Sequence, residues 1–220
     1  MKVRTETAVP ASDRLSTFIA AGAWAAIVGG AALVISLLLD WLVVPYEKLG
    51  VAGAYLTASY PVSSGLRLLS TVLFLWALLA LYNRQSIATG TFGLWGFVVA
   101  FFGTALFAGS VWAEVFVYPT LARVAPTVFT GQSAEASSLI IGKNLSAYLF
   151  AIGIVLFGLA TLKAGVYPRW ASALLVVSIP ATIFLPNTEG TFSESIGQIM
   201  FGAAFMILGW HALKGTPTRS

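Results

Sequence analysis

The sequence predicts an all-α membrane protein, a polytopic bundle of six transmembrane helices. Of its 220 residues, 58% are hydrophobic and only 9% are charged, and the mean hydropathy is +0.89. A soluble domain normally carries about a quarter charged residues to cover its surface. Because this chain has too few polar groups for such a surface, we expect the outside of the bundle to face lipid.

Six apolar segments, separated by polar or Pro- and Gly-containing connections, predict the transmembrane helices. They span approximately residues 15–44, 62–82, 91–118, 139–162, 166–185 and 196–213. These segments make residues 15–213 the transmembrane domain, with a leader at 1–14 and a tail at 214–220. They lack the in–out alternation that is typical of a membrane β-barrel. The fifth segment contains Pro180, which indicates either a kinked or a broken helix.

Lysine and arginine are distributed unequally between the two sides of such a bundle. Six crossings place eight of them on the side of both termini and four on the other side. The eight are Lys2, Arg4, Arg14, Arg84, Lys163, Arg169, Lys214 and Arg219, and the four are Lys48, Arg67, Arg123 and Lys143. Because the cytoplasmic side carries the excess of these residues, we predict a cell-membrane protein with both termini in the cytoplasm. The longest connections, residues 45–61 and 119–138, then lie outside.

The residues that bind metals and cofactors are scarce in this chain. It has no cysteine, which excludes disulfides, thiol catalysis and iron–sulfur clusters. His211 is its one histidine, so we predict no metal site and no cofactor. The net charge of +4 is not gathered into a basic run, and therefore no nucleic-acid partner is expected.

The third segment repeats the first at an offset of 74 residues, and the fourth repeats the second at an offset of 76. In the first comparison, Gly22, Ala26, Gly29, Ser36 and Asp40 correspond to Gly96, Ala100, Gly103, Ser110 and Glu114. In the second, Arg67 corresponds to Lys143 and Phe74 to Phe150. Chance similarity among apolar residues is the alternative, but acid matches acid and base matches base. The pattern therefore predicts a repeated two-helix hairpin. The last two segments form a third, degenerate copy, with Gly197-Gln198 in the place of Gly142-Lys143.

The repeated small residues are predicted to lie in helix contacts. They recur every three or four positions, so they share one helical face in each segment. The proposed packing positions are Gly22, Ala26, Gly29 and Ser36 in the first segment and Gly96, Ala100, Gly103 and Ser110 in the third. Small residues let helix backbones approach closely within one chain or between chains, so a homo-oligomer is also compatible with the sequence. Asp40 and Glu114 lie on the same faces and should point into the bundle.

Four charged residues map to the outer end of the predicted bundle: Asp40, Arg67, Glu114 and Lys143. A charge at mid-depth in a membrane costs at least about 2.5 kcal/mol unless it is paired or hydrated. One interpretation is an outward-facing polar pocket for a small molecule or ion, to which Asn144 and Gln198 can contribute. The other interpretation is a purely structural network of ion pairs between helices.

A short stretch at the end of the third segment, AEVFVYPTLAR from Ala113 to Arg123, resembles a segment of small bacterial four-helix membrane proteins related to anthrone oxygenases. The resemblance is confined to this stretch, and six predicted helices depart from the four of that group. It implies an enzyme acting on a lipophilic substrate, with Glu114 or Asp40 as the base. The sequence thus leaves three functions open. In order, they are a small transporter, channel or receptor, a structural or accessory membrane protein, and a membrane enzyme.

Overall fold

The described residues of the computed structural model, 11–130, 134–184 and 192–214, are almost entirely helical. They form α1 (Ala11–Leu42), α2 (Tyr46–Ala54), α3 (Tyr60–Phe116), α4 (Tyr118–Val124), α5 (Ala134–Ala164), α6 (Arg169–Phe184) and α7 (Phe192–Lys214). A short 3₁₀-helix, Pro126–Thr130, follows α4. No strand occurs within these ranges, so the predicted all-α class is confirmed.

Four helices are long and apolar enough to cross a membrane. These segments are Leu15–Leu42, Tyr60–Phe116, Ser137–Ala164 and Ser195–Lys214. Helix α6 is also apolar but has only 16 residues, which is about 24 Å of helix against a hydrocarbon core of about 30 Å. Large apolar side chains such as Trp24, Phe102 and Ile152 are exposed on the outside of the bundle. The structure therefore agrees with the predicted membrane class.

Helix α3 is a hairpin, because the chain reverses direction at Gly90. Its 57 residues would extend about 85 Å as one straight helix. Gly90 has φ 56° and ψ −152°, a conformation that is accessible mainly to glycine. The rings of Tyr82 and Phe97, on either side of this residue, stack with centroids 4.4 Å apart. The first half of α3 (residues 60–89) and the second half (residues 91–116) therefore lie side by side in opposite directions.

The long helices form a closed ring. Successive contacts join α1 to α3, α3 to α5, α5 to α6, α6 to α7, and α7 back to α1. Four phenylalanines fill the middle of this ring: Phe74, Phe150, Phe201 and Phe205. The ring centroids of Phe74 and Phe205 are 4.5 Å apart, and those of Phe150 and Phe201 are 5.4 Å apart. Aromatic packing thus joins α3, α5 and α7 in the core.

The small residues that recur in α1 and α3 lie where two helices touch. A Cβ atom on Gly29 would come within 3.1 Å of Leu73, and one on Gly103 within 2.6 Å of the Leu149 carbonyl oxygen. Gly22 and Gly96 are in similar contacts with the neighbouring helices, and Ala26 and Ala100 are fully buried. These close approaches show that the backbones pack directly against each other.

Serine side chains join the same helix pairs. Ser36 Oγ in α1 donates a hydrogen bond to the Ser63 carbonyl oxygen at 2.7 Å. Ser110 and Ser146, in the second half of α3 and in α5, share a hydrogen bond of 2.6 Å between their hydroxyl oxygens. Such hydrogen bonds across helix contacts stabilise helix association in a membrane.

Short helices occupy the long connections at one end of the ring. Helix α2 lies within residues 45–61, and α4 and the 3₁₀-helix lie within residues 119–138. They hold a small aromatic core of Tyr55, Tyr60, Tyr118 and Phe129, in which Tyr55 and Tyr60 have centroids 4.7 Å apart. We call these short helices and their aromatic core the aromatic cap. The aromatic cap covers the end of the bundle that contains the charged residues.

Candidate functional site: a charged cavity at one end of the bundle

Arg67 joins the two carboxylates of the bundle. Its Nη2 donates a hydrogen bond to Asp40 Oδ2, and its Nη1 donates one to Glu114 Oε2 at 3.2 Å. Lys143 Nζ lies 3.5 Å from Glu114 Oε1. The four side chains therefore form one chain of alternating charge, Asp40–Arg67–Glu114–Lys143, which we call the charged chain.

The hairpin shape of α3 brings these residues together. Asp40 lies in the last turn of α1, and Glu114 lies in the last turn of α3. Arg67 lies near the start of α3, which the reversal at Gly90 places beside its end. Lys143 extends from α5, the helix that packs against the second half of α3. Four helical segments thus each contribute one charge to the same end of the ring.

Lys143 is the most exposed member of the charged chain, and the other three side chains are mostly buried. The Lys143 side chain is 44% exposed, whereas those of Arg67, Glu114 and Asp40 are 18%, 11% and 11% exposed. Asp40 Oδ1 and Arg67 Nε are buried and lack a hydrogen-bond partner among the described residues. A buried polar group without a partner costs about 1–3 kcal/mol. The described protein groups alone therefore leave two buried atoms of the charged chain without a hydrogen bond.

A cavity of about 80 Å³ lies beside the charged chain. Besides the four charged residues, its walls include Tyr46, Tyr55, Tyr60, Ser195 and Gln198. A water molecule needs roughly 10–15 Å³ of such space, whereas drug-sized ligands occupy pockets of about 300–1,000 Å³. The cavity therefore has room for several waters, an ion or a very small polar molecule.

The aromatic cap keeps a neutral phenol next to the charged chain. Tyr118, in α4, is 3% exposed and packs against Tyr55 with ring centroids 5.6 Å apart. Burial raises the pKa of the Tyr118 hydroxyl above its usual value, while Lys143 lowers it and Glu114 raises it further. Tyr118 is therefore protonated at neutral pH.

Of the six site residues proposed from the sequence, five line the cavity and one does not. Asp40, Arg67, Glu114, Lys143 and Gln198 line the cavity. Asn144 does not line it and is exposed on α5, because consecutive residues of an α-helix point about 100° apart. The position next to Lys143 thus faces away from the charged chain.

Sequence reasoning missed several wall residues. Tyr46, Tyr55 and Tyr60 were not among the proposed site residues, yet all three line the cavity. Ser195 is buried in the cavity wall, and it precedes Gln198 by one helical turn, so its position on the same face of α7 was a usable signal.

Two polar side chains at the opposite end of the bundle make hydrogen bonds, although Gln85 Oε1 is buried without a partner among the described residues. Gln85 Nε2 donates to Thr161 Oγ1 at 2.8 Å, and Arg84 donates to the carbonyl oxygen of Ala212.

No group of three or more metal-binding side chains occurs in the part of the chain that the structure describes. His211 lies in the last turn of α7. Pro180 lies within α6, which continues to Phe184, so a broken helix is not observed. Comparison with known protein families, characterised proteins and solved structures finds no match for this chain.

Proposed function

We propose that this protein binds a small polar molecule or ion in the charged cavity, from the outer side of the membrane. The observation that carries the proposal is an open space of about 80 Å³ bounded by two acids and two bases. If these charges only joined helices, close packing around them would be the better solution, because voids forfeit packing contacts.

Incomplete hydrogen bonding within the charged chain also supports this function. Asp40 Oδ1 and Arg67 Nε have no partner among the described residues, and charges in a membrane are tolerated when they are paired or face a water-filled cavity. A hydrated cavity that exchanges its water for a polar solute fits both observations.

A thermal-stability screen tests the binding function directly. The detergent-solubilised protein is heated with separate panels of monovalent cations, divalent cations, inorganic anions, small amines and amino acids. A solute at 100 times its Kd stabilises the protein by about 2.7 kcal/mol, which shifts the midpoint by several degrees. We expect at least one solute to shift the wild type but not Glu114→Gln.

Glu47→Gln is the matched control for this screen. Glu47 is an exposed acid in α2 and is not part of the cavity wall, so the control loses the same charge at the same end of the bundle. A solute that shifts the wild type, Glu47→Gln and Glu114→Gln equally would act elsewhere. If no solute shifts the wild type, the binding function is wrong.

The direct contacts of Arg67 favour a second candidate, a structural or accessory role. Arg67 already bonds both Asp40 and Glu114, so the charged chain can join α1 to both halves of α3 without a ligand. In that case, exchanging the charges in Asp40→Arg combined with Arg67→Asp should restore much of the stability lost in either single variant. A binding site would not recover its ligand in the double variant.

For either function, we propose an architecture of six membrane crossings built from three repeated two-helix hairpins. The reversal of α3 at Gly90 supports two crossings within this helix, which with α1, α5, α6 and α7 makes six. Contacts recur at the predicted offsets: Arg67 pairs with Asp40, as Lys143 does with Glu114. Repeated contacts between matched residues support duplication more strongly than sequence similarity alone.

The third hairpin, α6 and α7, is related more distantly. With Gln198 in the place of Lys143, Phe205 takes the place of Phe150 and of Phe74 at the same spacing. Phe74, Phe150 and Phe205 all belong to the core, and Arg67, Lys143 and Gln198 all line the cavity. This correspondence supports an approximate threefold arrangement around the cavity.

A further inference from the structure

The formal charges on the walls of the charged cavity cancel. Among the described wall residues, the acids are Asp40 and Glu114, and the bases are Arg67 and Lys143. The remaining described wall residues are uncharged and, apart from Leu37, carry a polar group: Trp41, Tyr46, Tyr55, Tyr60, Ser195 and Gln198. A solute in the cavity therefore enters polar surroundings in which the described walls have no net formal charge.

Each charge in the cavity walls already has a neighbour of opposite sign. Arg67 donates hydrogen bonds to both carboxylates, and Lys143 Nζ lies 3.5 Å from Glu114 Oε1. A monovalent ion would either add a charge that the described walls do not balance or displace one member of an ion pair. Both are costly, because a desolvated ion without a partner and a partly buried pair that loses one member each leave a charge uncompensated. The walls therefore disfavour ions of either sign.

The hydrogen-bonding groups of the walls favour a solute that both donates and accepts. Ionised carboxylates only accept hydrogen bonds, whereas guanidinium and ammonium groups only donate them. An amine cation is a donor alone and a carboxylate anion is an acceptor alone, so neither is complementary to both kinds of wall group. An amide carries a carbonyl acceptor beside N–H donors and has no charge. The hydroxyl of Ser195 and the amide of Gln198 can interact with either end of such a molecule.

We propose that the charged cavity selects a small uncharged amide, such as a primary amide or a urea. This inference rests on the proposed function, because it names the class of solute that the same cavity binds. The carbonyl oxygen of the solute accepts a hydrogen bond from a base of the cavity, and its N–H groups donate to an acid. The cavity volume of about 80 Å³ limits the solute to a few non-hydrogen atoms.

A zwitterion such as glycine is the nearest alternative, because it also has no net charge. Its ammonium and carboxylate groups are full charges, however, and both lose hydration on entering the cavity. The wall charges that would receive them are already paired with each other along the charged chain. An uncharged amide can add hydrogen bonds without separating these pairs. Glycine therefore serves as a competing probe in the test.

Three solutes of the same shape and different charge test the inference. Acetamide is neutral, acetate is an anion and acetamidinium is a cation. Each of them, and glycine, is titrated into the detergent-solubilised protein at neutral pH, and the dependence of the thermal midpoint on concentration gives the Kd. We expect acetamide to bind at least about tenfold more tightly than the other three, because only acetamide adds no full charge to the cavity.

Removing one wall charge should change which of these solutes binds. Glu114→Gln leaves the described walls with a net positive charge, so it should lose acetamide and prefer acetate, which replaces the missing negative charge. Lys143→Gln leaves a net negative charge and should prefer acetamidinium. The second change should be smaller, because the Lys143 side chain is 44% exposed and solvent screens its charge. The Lys143→Gln result decides alone if Glu114→Gln does not fold.

Glu47→Gln and Lys48→Gln are the matched controls for the two charge variants. They remove one acid and one base from exposed positions in α2 that are not part of the described cavity wall. Both controls should keep the wild-type order, with acetamide bound most tightly. A thermal midpoint in the absence of solute establishes that each variant folds.

Two outcomes overturn the inference. In the first, acetate, acetamidinium or glycine binds the wild type at least as tightly as acetamide, which leaves the binding function standing with a charged solute. In the second, the order of preference is the same in the wild type and in the charge variants, which places the solute away from these walls. The proposed function itself fails only if neither these probes nor the solutes of the wider screen shift the wild type.

Discussion

At the residue scale, Arg67 has the central position, because it contacts both carboxylates of the charged chain. The sequence was sufficient to predict that Arg67 is paired, because a base near the start of an apolar segment needs a partner. Asn144 was proposed to contribute to the pocket, but it is exposed and does not line the cavity. Helical geometry decides against it, since the next residue of a helix faces another direction.

Removing the two bases of the charged chain should have unequal effects on stability. Arg67→Met leaves Asp40 and Glu114 buried without their shared cation, and breaking a buried pair costs about 3–5 kcal/mol. Lys143→Met removes a cation whose side chain is 44% exposed, and such pairs contribute only about 0–1 kcal/mol. Unfolding in mixed micelles at increasing dodecyl sulfate measures both. Equal losses would contradict the greater burial of Arg67 compared with Lys143.

Tyr167, between α5 and α6, should make stability fall at alkaline pH. Burial raises the pKa of its hydroxyl above the usual value, although Arg84 lowers it. The unfolded chain then releases this proton at a lower pH than the folded protein. The contribution of the neutral phenol is therefore complete below about pH 10, the ordinary tyrosine value, and is lost as pH rises above it.

Tyr167→Phe isolates this alkaline effect. The hydroxyl donates only a long hydrogen bond of 3.5 Å to the Leu81 carbonyl oxygen, so the variant should lose less than about 1 kcal/mol at pH 7. Between pH 9 and pH 11, its thermal midpoint should fall less steeply than that of the wild type. Parallel curves for the two proteins would exclude a buried phenol at this position.

At the element scale, hydropathy predicted the long helices well but predicted their ends and connections poorly. Residues 83–90 were expected to connect two helices, yet the helix continues to Gly90. Ser86 and Thr89 donate hydrogen bonds to carbonyl groups of the preceding turn, so polar composition did not end the helix here. Helices α2 and α4 were missed because they are stabilised by the aromatic cap, a tertiary contact that no local pattern shows.

The reversal within α3 should depend on glycine at position 90. Its φ of 56° with ψ of −152° is essentially restricted to glycine, and other residues are destabilised there by about 1–3 kcal/mol. Gly90→Ala should therefore lower the free energy of unfolding by this amount. Gly65→Ala is the control, because Gly65 lies inside the same helix with open space beside it. That control should be neutral or stabilising.

Contacts between the second half of α3 and α5 should not tolerate a methyl group at position 103. A Cβ atom there would lie 2.6 Å from the carbonyl oxygen of Leu149, so backbone rather than a flexible side chain must move. We expect Gly103→Ala to lower stability by about 1–3 kcal/mol, as in overpacked cores. Unfolding in mixed micelles, with Gly65→Ala again as control, provides the measurement. An unchanged midpoint would mean that the two helices are less closely packed than described.

At the scale of the whole molecule, composition was sufficient to predict a membrane bundle, because too few polar residues are present for a soluble surface. The charged cavity required more information. Its existence depends on the reversal of α3, which brings Arg67 and Glu114 together across 47 positions of sequence, and on α7, which supplies Ser195 and Gln198. The repeat offsets of 74 and 76 residues indicated which charged residues correspond. The closed ring that brings them together depends on how the helices pack, which the sequence pattern does not show.

Six crossings can be tested with single cysteines, since the chain contains none of its own. We expect Lys48→Cys and Arg123→Cys, both at exposed positions, to react with a membrane-impermeant maleimide applied to intact cells. Ala88→Cys, beside the reversal of α3, should react only after the membrane is opened. Lys214→Cys should behave like Ala88→Cys, because α6 and α7 together return the chain to the side from which α1 began. If Lys214→Cys reacts in intact cells while Ala88→Cys does not, α6 is too short to cross and the bundle has five crossings.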